Sequence, residues 1–204
     1  MDAAIEHGAD YVGLVHFPKS PRHVDLTLAK RLASYAQTKG TVNVVMLLVD
    51  PDNDTLMQVR ESVKPDVIQL HGHESAKRAG EAHILTGLPI MKAVSIATSD
   101  DVSAAMKFIR PGLVDLVLFD AKPPADPNAL PGGNGLAFDW KILENWDMAR
   151  PFALAGGLTP ENVASAVRLT RPTIVDVSSG VETGPGVKDA ELIRLFIRNA
   201  KTAK

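Results

Sequence analysis

Short apolar runs alternate along the whole chain with longer stretches whose apolar residues follow helical spacing. Runs of four to eight residues that are apolar at nearly every position are typical of parallel strands covered on both faces. They predict strands at 11–15, 42–49, 67–70, 90–96, 114–119, 152–155 and 173–177. Helical spacing predicts helices near 2–8, 25–36, 56–63, 75–86, 99–109, 138–146, 159–169 and 189–200. The alternation predicts repeated right-handed βαβ units.

Seven predicted strands and eight predicted helices, with a helix first, come close to one known architecture. A (β/α)₈ barrel has eight of each and begins with a strand. We therefore predict an α/β fold that is a single TIM barrel domain over 1–204 and lacks the first strand of that barrel. A doubly wound open sheet is the alternative, but no strand is followed by the G-x-G-x-x-G turn with which such sheets bind dinucleotides.

Composition narrows the partners and the chemistry. The 204 residues are 45% hydrophobic, which is enough for a full core, and 22 basic residues are mixed with 24 acidic ones. A net charge of -2 predicts neither a nucleic-acid nor a membrane partner. Because there are no cysteines, the chain can form no disulfide, thiolate metal site or cysteine nucleophile. An acidic N-terminus and the lack of a membrane-spanning apolar run lead us to expect a cytoplasmic protein.

Asp120 is the first candidate for chemistry. It ends the buried run 114–119 and precedes a long loop of prolines and glycines. In parallel α/β proteins, catalytic groups lie at the carboxyl ends of strands, under loops of this kind. The plainer interpretation is an aspartate that caps a helix or tethers the loop.

A second signal is a pair of glycine- and serine-rich strand ends. Gly156 and Gly157 follow the sixth predicted strand, and Ser178, Ser179 and Gly180 follow the seventh. In a barrel, the loops after the last two strands often bind phosphate, because glycine lets backbone N–H groups approach the ligand. Tight turns with capping serines are the alternative.

Two further residues could contact a ligand. Arg22, between Pro21 and His23, could offer a bidentate fork to a carboxylate or a phosphate, and an ordinary surface arginine is the alternative. His71 and His73 alternate after a strand, as a metal pair would. No second acid or histidine completes a ligand pattern, so we expect His71 to contact substrate and expect no metal.

These residues lie in segments that together resemble the phosphoribosylanthranilate isomerase family. The segments are YVGLVHFPKSPRHV, DVIQLHG, LVLFDAKPP, LPGGNGLAFDW, AGGLTPENV and DVSSGVETGPGVKD, and the resemblance covers essentially the whole chain. It implies a barrel of the ribulose-phosphate-binding type in tryptophan biosynthesis. It also implies an Amadori rearrangement of a phosphosugar-anthranilate substrate, without metal or organic cofactor, by a monomer or homodimer.

The same resemblance assigns roles to the candidate residues. It implies that Asp120 is the general acid, that Arg22 holds the anthranilate carboxylate and that His71 lines the site. It implies a phosphate site formed by Gly156, Gly157, Ser178, Ser179 and Gly180, with Asp176 at the same strand end.

One departure from the family bears on activity. Family members begin with a strand of the type Lys-Ile-Cys-Gly, whose cysteine is the general base, and this chain has neither. We expect Met1 to be an internal methionine of a longer protein. The alternatives are an impaired phosphosugar-binding module, or another phosphate-binding barrel. A ribulose-phosphate epimerase would need metal ligands, and an indole-glycerol-phosphate synthase would need a lysine and glutamate set for which only Lys92 stands on a strand.

Overall fold

Strands and helices alternate in both compact units into which the chain divides. The structure is a computed structural model that describes residues 1–109, 114–123, 130–133, 135–147 and 150–203. The first unit comprises Met1–Lys92 and Phe108–Asp115, and the second comprises Ala93–Lys107 and Leu116–Lys204. Among the described residues, no helix is both long and apolar enough to cross a membrane.

The first unit is a parallel sheet with a helix after each strand. Its elements are α1 (Asp2–Glu6), β1 (Tyr11–His16), α2 (Leu26–Lys39), β2 (Asn43–Leu48), α3 (Asn53–Gln58), a π-helical turn (Val59–Val63), β3 (Val67–Leu70), α4 (Ala76–Thr86) and the start of β4 (Ile90–Ile96). Neighbouring strands are consecutive in the chain and parallel throughout. Its core is built from both strand faces and from the inward stripes of α2 and α4, and Val44, Met46, Leu56 and Ile68 are fully buried.

The second unit continues the same pattern from the end of β4. It contains α5 (Ser99–Ala105), a 3₁₀ turn (Met106–Phe108), β5 (Leu116–Ala121), a 3₁₀ helix (Trp140–Asn145), β6 (Phe152–Leu154), α6 (Val163–Thr170), β7 (Ile174–Val175), a 3₁₀ turn (Ser179–Val181), β8 (Glu182–Gly184), β9 (Val187–Lys188) and α7 (Ala190–Thr202). Strands β5, β6 and β7 pair in parallel and in chain order. The prediction of seven parallel strands in an α/β fold is therefore confirmed.

Side-chain caps explain where several predicted helices begin. Asp25 accepts a hydrogen bond from the N–H of Leu28 at 2.7 Å, Ser75 from Arg78 at 3.2 Å, and Asp189 from Leu192 at 2.9 Å. Each bond satisfies one of the N–H groups that the first turn of a helix leaves unpaired. The three helix starts were predictable because a cap depends on residues that are close in the sequence.

An aromatic cluster supports the strand that carries Asp120. The ring of Trp146 meets that of Phe119 edge to face, with centroids 4.9 Å apart, and Phe152 lies 5.7 Å from Phe119. The indole N–H of Trp146 donates to the carbonyl of Arg150 at 3.1 Å. Offset and edge-to-face contacts of this kind add to the burial of large rings. The cluster fixes β5 from the side of the 3₁₀ helix and β6.

Two differences from the prediction concern the segments that follow β6 and β7. The helix predicted from Thr159 begins at Val163, because Asn162 closes a turn: its side chain accepts from the N–H of Thr159 at 2.8 Å and donates to the carbonyl of Gly157 at 2.9 Å. The antiparallel pair of β8 and β9 was not predicted at all. Residues 110–113, just after the helix predicted at 99–109, and residues 124–129 of the loop after Asp120 lie outside the described residues.

Candidate active site

Asp120 lies near the carboxyl end of a strand that is buried from its second residue onward. It is the next-to-last residue of β5, and it follows Leu118 and Phe119, neither of which is exposed. Asp120 itself is 5% exposed, and its Oδ1 accepts a hydrogen bond from the N–H of Ala121 at 2.8 Å. The carboxyl group is therefore shielded from solvent at the end of an apolar strand.

The ends of β5, β6 and β7 lie level with one another. The N–H of Ala155 donates to the carbonyl of Phe119, and the N–H of Asp176 donates to the carbonyl of Leu154, both at 2.8 Å. These bonds extend the parallel ladder by one residue beyond each strand. The second unit therefore brings Asp120, Ala155 and Asp176 to one edge of the sheet, as expected for residues at the carboxyl ends of parallel strands.

Gly156 lies directly against the candidate acid. Its φ angle is +82°, and a Cβ there would be 2.5 Å from the amide nitrogen of Ala121 and 3.1 Å from Oδ1 of Asp120. No side chain fits in that space, and L-residues avoid this backbone region. The glycine is required by the close approach of two strand ends, a reason that the sequence could not reveal.

Two other glycines join the loops that follow β5, β6 and β7. Gly157 has φ +62°, and a Cβ on it would lie 2.6 Å from the amide nitrogen of Ala137. A Cβ on Gly180 would lie 1.9 Å from the carbonyl oxygen of Leu158. Because all three strand-end loops meet backbone to backbone, the residues expected to bind phosphate form one surface with the end of β5.

This surface carries unused hydrogen-bond donors. Within the described residues, the N–H groups of Gly157, Ser179 and Gly180 have no backbone or side-chain acceptor. Ser179 and Gly180 open a 3₁₀ turn, where the first N–H groups have no partner inside the turn. Convergent N–H groups of this kind are a common arrangement for binding an anion.

Ser178 is held by a lysine that sequence reasoning missed. Lys188 Nζ donates to the carbonyl oxygen of Ser178 at 2.8 Å and lies 3.3 Å from its Oγ. The same ammonium group pairs at 2.7 Å with Glu182, whose side chain is only 4% exposed. The hairpin of β8 and β9 thus presents a cation beside the serine. In the sequence, the only sign of this contact is that Lys188 lies in the same segment as Ser178, DVSSGVETGPGVKD, ten residues later.

The remaining candidates lie in the first unit. Arg22 is half-buried in the turn after β1, where its backbone N–H donates to Oγ of Ser20 at 3.1 Å. His71 directly follows β3 and is 9% exposed, and its Nδ1 lies 3.0 Å from Oε1 of Gln69. His73 has a different environment, since its side chain is 93% exposed. Within the described ranges, no three His, Asp or Glu side chains lie close enough together to hold a metal ion.

Comparison with known proteins gives a consistent result. The model of the family described as N-(5'phosphoribosyl)anthranilate (PRA) isomerase matches residues 1–199. The N-(5'-phosphoribosyl)anthranilate isomerase of Paracoccus denitrificans is 54% identical over 201 residues, which cover 98% of this chain and 91% of that protein.

Solved structures agree with the family match. The crystal structure of phosphoribosyl anthranilate isomerase from Thermotoga maritima has a TM-score of 0.85 and 34% identity, covering 98% of this chain and 91% of that one. A structure of phosphoribosyl anthranilate isomerase in complex with reduced 1-(o-carboxyphenylamino)-1-deoxyribulose 5-phosphate has a TM-score of 0.82 and 32% identity, with the same two coverages.

Proposed function

Since the chain belongs to the N-(5'-phosphoribosyl)anthranilate isomerase family of tryptophan biosynthesis, we propose that Asp120 supplies the proton that begins its reaction. The substrate is N-(5-phosphoribosyl)anthranilate, and the product is 1-(2-carboxyphenylamino)-1-deoxyribulose 5-phosphate. One observation carries the proposal: the carboxyl of Asp120 is buried at the same strand edge as the glycine and serine loops, and a Cβ on Gly156 would lie only 3.1 Å from its Oδ1.

The reaction needs an acid at the sugar ring. Asp120 donates its proton to the furanose ring oxygen, the bond from that oxygen to C1 breaks, and the anthranilate nitrogen forms a C=N bond with C1. A base then removes the proton from C2, and the resulting enolamine relaxes to the ketone. A carboxyl group that is shielded from solvent at the strand edge suits the first step, because a positioned acid can give its proton directly to the ring oxygen.

The substrate phosphate is assigned to the three loops of the second unit. We propose that it is bound by Gly156, Gly157, Ser178, Ser179 and Gly180, with Asp176 at the same strand end. The N–H groups of Gly157, Ser179 and Gly180, which find no acceptor in the described part of the chain, support this assignment, since a phosphate accepts several hydrogen bonds at once. Backbone donors hold the phosphate at one distance from Asp120, because the loops and β5 are in direct contact.

The resemblance supports two assignments in the first unit. Arg22 is proposed to bind the anthranilate carboxylate, since a guanidinium matches a carboxylate with two parallel hydrogen bonds. His71 is proposed to contact the substrate. No metal or organic cofactor takes part in this mechanism. A monomer or homodimer in the cytoplasm is proposed on the same ground.

The identity of the general base and the full (β/α)₈ barrel remain predictions. Both are supported by the resemblance to the family, whose first strand is of the type Lys-Ile-Cys-Gly and carries the cysteine that takes the C2 proton. Adding such a strand ahead of Met1 is expected to raise turnover by on the order of 10²–10⁴, the usual contribution of a positioned base. The same extension with the cysteine replaced by serine is the control. Equal rates with and without the cysteine would contradict the assignment.

The experiment that tests the role of Asp120 separates chemistry from binding. Asp120→Asn keeps the size of the side chain but removes the acid, so turnover should fall by at least about 10²-fold. Affinity for reduced 1-(o-carboxyphenylamino)-1-deoxyribulose 5-phosphate, measured by calorimetry, should change only a few-fold. Asp139→Asn is the matched control, since Asp139 is an exposed helix cap whose role asparagine can fill. Normal turnover by Asp120→Asn would refute the proposal.

A further inference from the structure

A buried ion pair in the first unit has no part in the mechanism described above. Lys92 on β4 and Glu74 in the loop after β3 approach to 2.8 Å between Nζ and Oε2, and their side chains are only 3% and 1% exposed. A buried ion pair is weak evidence for stability, because the cost of removing two charges from water offsets much of their attraction. The pair therefore calls for another explanation, and its remaining hydrogen bonds supply one.

The ion pair holds the peptide groups on both sides of His71. Lys92 Nζ donates to the carbonyls of Leu70 at 3.3 Å and of Gly72 at 2.9 Å. Glu74 accepts the N–H of Gly72, at 3.0 Å to Oε2. The carbonyl of Leu70 and the N–H of Gly72 belong to the two peptide bonds that flank His71. Its main chain is thus fixed from the lysine on one side and from the glutamate on the other.

The same glutamate joins this loop to the one after β2. Glu74 Oε1 accepts the N–H of Asp50 at 2.8 Å, and Oδ1 of Asp50 accepts the N–H of His73 at 2.7 Å. Asp50 is one of few non-glycine residues with positive φ, at +45°, and a Cβ on Gly72 would lie 2.4 Å from its Oδ1. A backbone in this region persists only where its surroundings hold it. Glu74 is the buried group that holds both loops.

The ring of His71 is oriented by a second chain of contacts. Gln69 Nε2 donates to the sulfur of Met91 at 3.3 Å, so its Oε1 faces His71 and accepts from Nδ1 at 3.0 Å. In the neutral ring, the proton is therefore assigned to Nδ1. The hydrogen bond to Gln69 fixes the tautomer of His71, and the contacts of Lys92 and Glu74 fix its main chain. Together they hold the imidazole ring in one orientation.

We propose that Lys92 and Glu74 are positioning residues: they clamp the peptide groups around His71 and so set the direction of its imidazole for the isomerase reaction. The inference rests on the substrate contact proposed for His71. The clamp acts through backbone hydrogen bonds, so replacing the charges by groups of similar size should preserve the fold while releasing the loop.

The test uses the double variant Lys92→Met/Glu74→Gln, which removes both charges together and leaves an amide acceptor at position 74. Amide hydrogen exchange of His71 and Gly72 should accelerate at least about tenfold while the core amides of β2 stay protected. Turnover should fall by about 10–100-fold with a smaller change in KM, as expected for a group displaced by a fraction of an ångström to 1 Å. Arg194→Gln/Glu191→Gln, which removes an exposed ion pair on α7, is the control and should change neither quantity.

A second background tests whether the effect passes through His71. In His71→Asn, adding the two clamp substitutions should cause no further loss of turnover. The inference would be overturned if the double variant left the amide exchange of His71 and Gly72 unchanged. It would also be overturned if the two clamp substitutions reduced turnover as much in His71→Asn as they do in the parent. If the double variant unfolds, Glu74→Gln alone is judged by the same exchange measurement. Failure of the proposed function is distinct, because the unaltered chain would then neither turn over substrate nor bind the reduced product.

Discussion

Replacing Gly156 by alanine should disrupt the candidate active site from its centre. A non-glycine residue at φ +82° costs roughly 1–2 kcal/mol in backbone strain. The added methyl group would also lie 2.5 Å from the amide nitrogen of Ala121 and 2.9 Å from its Cβ. Overpacking of that kind costs typically about 1–3 kcal/mol. Together the two effects predict a loss of about 2–5 kcal/mol in the free energy of unfolding.

Urea denaturation followed by circular dichroism measures this loss. With a denaturant slope of about 2 kcal/mol/M, the midpoint should fall by roughly 1–2.5 M. Gly87→Ala is the control for backbone strain, since its φ is +67° with nothing within 4 Å of the added Cβ. Gly184→Ala controls for the substitution itself, because that glycine has neither a positive φ nor a close neighbour.

The comparison of the three variants decides the reasoning. Gly156→Ala should be the most destabilised, Gly87→Ala should lose roughly 1–2 kcal/mol, and Gly184→Ala should change least. The turnover of Gly156→Ala should also fall, because relief of the clash moves either the end of β5 or the loop after β6. If Gly156→Ala is no less stable than Gly87→Ala, the close approach of Gly156 to the end of β5 is contradicted.

Two further predictions concern a charge beside the proposed phosphate site and a charge at a helix start. Lys188→Met should weaken binding of inorganic phosphate several-fold, because it releases Ser178. Lys201→Met on α7 is the control and should leave this affinity unchanged. If calorimetry gives the same phosphate affinity for Lys188→Met as for the parent, the role of Lys188 is contradicted. The pKa of Asp101 is lowered chiefly by the hydrogen bond from the N–H of Ala97. The carboxylate therefore stabilises the fold fully at pH values above 3.8, the pKa of the unfolded chain, and this stabilisation is lost as the pH falls through the lower pKa of the folded state. Asp101→Asn should therefore be less stable than the parent at pH 7, by no more than about 1 kcal/mol because solvent screens the group. This difference in stability should narrow in urea melts as the pH falls below 3.8, and a difference independent of pH would contradict this.

The parts of this structure that follow from local sequence were predictable. A helix start depends on one side chain and an N–H group three residues on, as at Asp25 and Leu28. A strand such as β3, which is apolar except for Gln69 and is bounded by Pro65 and Gly72, is likewise visible in the sequence. The edge shared by Asp120 and Asp176 was predictable too, because the carboxyl ends of parallel strands meet on one side of a sheet.

Contacts between distant segments could not be read from the sequence. The approach of Gly156 to Ala121 depends on the register of β5 and β6, which no single segment specifies. Lys92 was visible as a strand lysine, but its partner Glu74 lies 18 residues earlier in what reads as an ordinary loop. Charged residues in loops are usually solvated, and only the fold reveals that this one is buried.

The most direct measurement is a crystal structure of this chain with reduced 1-(o-carboxyphenylamino)-1-deoxyribulose 5-phosphate bound. The account predicts the phosphate within hydrogen-bond distance of the N–H groups of Gly157, Ser179 and Gly180. It also predicts the Asp120 carboxyl at the hydroxyl oxygen that derives from the furanose ring. A phosphate bound away from these loops, or a ligand whose sugar oxygens lie beyond the reach of Asp120, would contradict the central claim.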